Sequence, residues 1–98
     1  MGNFYDRKGQ PMTLEEWSSA FEDFEGRRIA ADELYGYTVS TVWLGADHGF
    51  GRSAKPLIFE SMVFHATEPE ECRRYATEDE ARAGHAALVA EVKLAHGN

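Results

Sequence analysis

A single cysteine, Cys72, sits in this 98-residue chain. An internal disulfide is therefore impossible and a cysteine-based metal cluster is excluded. Basic residues are also scarce: ten lysines and arginines stand against seventeen aspartates and glutamates, a formal charge of −7 spread along the chain. No basic run exists to follow a phosphate backbone, so direct binding of nucleic acid is not expected. No apolar run reaches the roughly 18 residues of a membrane helix. The start, MGNFYDRKGQ, has no apolar signal-peptide core, and Asp6 stands where a myristoylation signal wants Ser or Thr. A cytoplasmic protein with no membrane partner is the expectation. Motifs are missing too: there is no internal repeat, P-loop, dinucleotide or zinc-finger pattern. Gly45, Gly49 and Gly51 have neither the spacing nor the following helix of a phosphate cradle. Ser53 and Ser61 lack a G-x-S-x-G elbow, and Cys72 has no evident base.

Apolar residues make up 43 % of the chain and aromatics 12 %, enough for a folded core. The length fits one domain, 1–98, with a thin core that a homodimer would extend. Residues 1–12 read as an irregular N-terminal arm with a turn at Lys8–Pro11. TLEE, Thr13 to Glu16, is a capping box. Leu14, Trp17, Phe21 and Phe24 follow at helical spacing, an apolar stripe ending at Gly26. The period then changes. Arg27–Glu33 predicts a strand, Tyr35-Gly36 a hairpin turn, and Tyr37–Leu44 the strongest strand of the chain. That strand has Tyr37, Val39, Thr41 and Trp43 on one face and Thr38, Ser40, Val42 and Leu44 on the other. Neither face is strongly polar, so both meet something. Residues 45–56 form a glycine-marked loop, and PLIFESMVFHA is the next strand. A turn over Thr67–Glu70 leads into a charged edge strand, Glu71–Ala76. TEDE, Thr77 to Glu80, opens a last helix whose inner face is Ala81, His85, Leu88, Val89 and Val92. The expected class is α+β: a small antiparallel sheet of three or four strands with an N-terminal and a C-terminal helix, in the order α-β-β-β-β-α. Both helices on one face would leave the second face for a partner; alternatively each helix takes one face.

Four residues are candidates for chemistry: Asp47, His48, Glu60 and His85. Asp47 and His48 lie at the outlet of the best strand, where loops held by a sheet carry function. With Glu60 and His85 they are the donor types a divalent metal takes, although no H-x-x-x-H spacing pre-assembles them. Glu60 interrupts a face otherwise formed by Ile58, Met62 and Phe64. A carboxylate there must pair, be protonated or stay exposed, and Arg27, Arg28, Arg52 and Arg73 are the partners in view. Gly84 weakens the helix beside His85 and points to a close approach of helix and sheet. No cofactor is expected.

STVWLGADHGFG, PLIFESMVFH and RYATEDEARAGH, with DRKGQPMTLEEW before them, cover nearly the whole chain. Together they resemble a group of short proteins of actinobacteria and their bacteriophages. Ala46 and Ser53–Lys55 depart from that pattern without touching the candidate residues. The resemblance implies a phage or actinobacterial origin, hence the host cytoplasm, and brings no activity with it. Three functions stay open. The first is a small binding or interaction protein, with a second copy or a host protein as partner. The second is a small enzyme or ligand- or metal-binding protein using an Asp/His/Glu pocket. The third is an acidic nucleic-acid mimic.

Overall fold

The computed structural model describes residues 4–47, 55–66 and 68–96. Its elements run β1 (Phe4–Tyr5), β2 (Pro11–Met12), α1 (Leu14–Phe21), α2 (Phe24–Arg27), β3 (Arg28–Leu34), β4 (Tyr37–Trp43), β5 (Phe59–His65), β6 (Glu68–Tyr75) and α3 (Glu78–His96). Strands β3 to β6 form one antiparallel sheet in sequence order, and β1 pairs with β2 in a small hairpin. The class is α+β, with more parts than the α-β-β-β-β-α order. The expected irregular arm is a hairpin, because Asp6 Oδ1 accepts from the backbone of Lys8 and Gln10 and closes the turn. The edge strand begins at Glu68, not Glu71. Pro69 is tolerated there because it lies on an edge strand beside a bulge.

The first helix is also shorter than its stripe. Thr13 and Glu16 form the capping box, but Asp23 interrupts the helix and its side chain caps a separate turn by accepting from Gly26. Leu14 and Phe24 therefore leave the expected core face and are exposed. Trp17 stays in, stacked against Phe4 and donating its indole N–H to Leu44 O.

One helix covers the sheet. Register places Val39, Thr41 and Trp43 beside Val63, Ser61 and Phe59 on the same face. All six are buried beneath Ala81, His85, Leu88 and Val92 of α3. Each buried Leu or Val contributes about 1.5–3 kcal/mol. The hairpin and α1 extend this core at one end, around Trp43, Ile58 and Ile29. Ile29 reaches it through a register shift in β3 between Arg28 and Ala30. Gly45 makes that junction possible: its φ is +77°, and a Cβ there would run into both Trp43 and Trp17. The opposite face carries Val42, Met62 and Phe64, and no described element lies over it.

Gly84 has the role its position suggested, and its neighbour is Tyr75. A Cβ at 84 would overlap the Tyr75 ring. Alanine favours a helix by about 1 kcal/mol over glycine, whereas overpacking costs about 1–3 kcal/mol. Gly84→Ala is therefore expected to lower stability in urea unfolding. Combining it with Tyr75→Leu should recover part of the loss, a coupling expected of residues in contact.

The hairpin is fastened to α3 by Arg7, whose Nε and Nη2 donate to the two oxygens of Glu78 at 2.9 Å each. With Arg82 adding to it, this pairing holds the Glu78 carboxyl at about 2, below its ordinary 4.5. A depressed folded value stabilises above the unfolded one and is lost on acidification. The contribution should be complete above about pH 4.5 and fade towards pH 2. Glu78→Gln should flatten the stability–pH curve in that window, measured by thermal unfolding at a series of pH values.

Candidate functional site

The sheet face under α3 holds a chain of polar side chains that resembles a hydrolytic triad. Asp32 Oδ2 lies 2.7 Å from His85 Nε2, and His85 Nδ1 lies 2.7 Å from Thr41 Oγ1. Thr41 Oγ1 is 2.5 Å from Ser61 Oγ. Strand alternation explains the assembly. Thr41 and Ser61 are cross-strand partners in mid-sheet, Asp32 sits opposite Val39 on the same face, and α3 sets His85 over them.

An ionised carboxylate only accepts, so in the neutral ring Nε2 carries the proton and Nδ1 accepts. The Thr41 hydroxyl then donates to Nδ1, and Ser61 donates to Thr41. In that tautomer every proton in the chain points towards Asp32. Geometry of this kind activates a nucleophile only where substrate reaches the hydroxyl. Thr41 and Ser61 are 0 % exposed and His85 is 5 % exposed, while Asp32 at the edge has 54 % of its side chain in solvent. The chain is a structural seam, and the hydroxyls are sealed from any substrate.

Of the expected site residues, Glu60 and His85 lie on opposite faces of the sheet. Asp47 Oδ1 accepts from the backbone N–H of Leu57 at 2.9 Å and so ties the end of β4 to the approach of β5. His48 lies outside the described residues. Glu60 is on the uncovered face, opposite Val42 and Arg74 in the register. Its partner among the described residues is Arg74, at 3.1 Å, and not Arg27, Arg28 or Arg73; Arg52 lies outside the described residues. Cys72 also donates to it at 3.3 Å. Partial burial, with Glu60 second, pushes the Cys72 thiol up and away from reactivity. His85 is on the helix side, so the sheet separates it from Glu60. Among the described residues no three His, Cys, Asp or Glu side chains group as metal ligands.

Asp32 and Thr41 were not among the sequence candidates, and Ser61 was set aside for want of a nucleophile elbow. The available signal was a polar residue at mid-strand on two otherwise apolar faces, Val39-x-Thr41-x-Trp43 and Phe59-x-Ser61-x-Val63. Sequence reasoning also passed over a groove between the hairpin and α1–α2. A cavity of about 400 Å³ there has Trp43, Met12 and Ala20 among its lining. Through Asp6, Met12, Ala20 and Asp23 it joins a wider depression that reaches Glu15 and Glu16. Two bases also line the cavity, Lys8 and Arg7, of which Arg7 is paired with Glu78. No helix among the described residues is long and apolar enough to cross a membrane.

No family model matches the chain, and no curated protein or solved structure is significantly similar to it.

The seam makes a specific demand on stability. Removing His85 strips Thr41 of a buried partner and leaves a cavity, so His85→Ala should cost about 2–4 kcal/mol. Asp32→Asn retains an acceptor for Nε2 and should cost less than about 1 kcal/mol. Denaturant titration of both variants checks the difference.

Proposed function

We propose that this protein is a small interaction domain, working as a homodimer, that receives a basic segment of a partner protein in the groove between its hairpin and α1–α2. The carrying observation is the groove's make-up: Met12, Ala20 and Trp43 line its apolar part, Asp6 and Asp23 stand there with Arg7 and Lys8, and the adjoining depression carries Asp6, Glu15, Glu16 and Asp23 with no base among them. A lysine or arginine side chain has the matching form, an alkyl stem for the floor and a cationic head for the rim. Long-range attraction by a chain of net charge −7 would speed the encounter. The sealed hydroxyls of the Asp–His–Thr–Ser chain favour binding over catalysis as the protein's business. If the chain is phage-encoded, as its resemblance implies, the partner is a protein of the host.

Calorimetric titration with a lysine-rich peptide and a glutamate-rich control tests this. The basic peptide should bind at low salt, weaken as salt rises, and lose at least about fivefold in affinity to Glu15→Lys. No heat with the basic peptide at about 1 mM, a weak limit for any specific complex, would sink the groove as a docking site.

A further inference from the structure

The uncovered face of the sheet has a charge balance unlike the rest of the molecule. In a chain of net charge −7, the ladder positions on this face hold two arginines, Arg28 and Arg74, against two glutamates, Glu33 and Glu60. Between them β4 and β5 present Val42, Met62 and Phe64, all half-buried. We infer that this face packs against the same face of a second copy. The inference rests on the homodimer reading above but not on the groove, none of whose lining residues is on this face.

Register selects the arrangement. Ala31, Ser40, Met62 and Cys72 form the middle row of the face; Arg28, Val42, Glu60 and Arg74 form one outer row, and Glu33, Thr38 and Phe64 the other. A two-fold axis along the strands would lay β3 over the partner's β6 at the same level, putting Arg28 against a second arginine at position 74. A two-fold axis across the strands lays β3 over β3 with the rows exchanged. Arg28 then faces Glu33 of the other copy, twice by symmetry, and Met62 meets its own equivalent near the axis. Opposite charges choose the second arrangement.

The size of the face sets the strength. Four strands about 4.8 Å apart and seven residues rising about 3.3 Å each give a footprint of roughly 19 by 23 Å. As flat area this is about 900 Å² for the two copies. That lower bound on accessible surface falls just under the roughly 1,200–2,000 Å² of stable interfaces. A dimer in rapid, concentration-dependent exchange is the consequence.

Sedimentation equilibrium from about 5 to about 500 μM, a span suited to micromolar association, tests it. The mass should rise from the 11.0 kDa of one chain towards twice that value. Met62→Glu, with its fold checked by circular dichroism, should remain at the mass of one chain. Glu33→Arg should weaken association at least about tenfold by setting like charges together, and adding Arg28→Glu should restore it. A constant monomer mass overturns the inference, as does dimerisation that Met62→Glu leaves intact. A charge swap that fails to restore association overturns the two-fold arrangement. Met62 lies outside the groove, so loss of the dimer with retained peptide binding, or the reverse, shows which of the two readings has failed.

Discussion

The placement of α3 on the sheet depends on the hydrogen-bonded chain from Asp32 through His85 and Thr41 to Ser61. Apolar burial fixes the helix less sharply, because the packing of Leu88 and Val92 with Val39 and Val63 is non-directional. A buried imidazole that must satisfy both ring nitrogens has far fewer acceptable positions. Charged clips reinforce the placement from outside: Arg7 to Glu78 at the first turn, and Arg73 of β6 to Glu91 further along. Asp32 is on one edge strand and Arg73 on the other, so α3 is held to both margins of the sheet.

That fixation is what leaves the molecule one-sided. A single 19-residue helix covers one face, while the hairpin and α1–α2 prolong the same core at its end instead of crossing to the other side. The result is an open, charge-balanced sheet face and, beside the hairpin, a partly apolar groove that opens into an acidic depression. Both are surfaces rather than reaction chambers. Among the described residues, the chain from Asp32 to Ser61 has the form of catalytic machinery, with its two hydroxyls buried between the layers.

Local rules made much of this legible. Both capping boxes, at Thr13 and Thr77, are present, and the alternation in Tyr37–Trp43 assigned each side chain to the correct face. Gly84 marked a close approach before its neighbour Tyr75 was known. What escaped was non-local. The end of α1 is decided by Asp23 capping a second turn, and the order in residues 4–12 comes from docking onto Gly45 and Ala46 at the end of β4. Glu60 was correctly singled out as a carboxylate needing a partner, but its pairing with Arg74 depends on register across β5 and β6. Asp47, Glu60 and His85 shared one hypothesis because their chemistry matched; strand alternation puts Glu60 and His85 on opposite sides of the sheet.

The direction of the protons in the buried chain is the most direct test of this account. Nitrogen-15 and proton resonances of a histidine-labelled sample would report the tautomer of the neutral His85 ring and the exchange of the two hydroxyls. The expected result is a proton on Nε2, an accepting Nδ1, and Thr41 and Ser61 hydroxyl protons that exchange slowly with water. A neutral ring protonated at Nδ1, or hydroxyls exchanging as fast as that of the exposed Ser19, would contradict it.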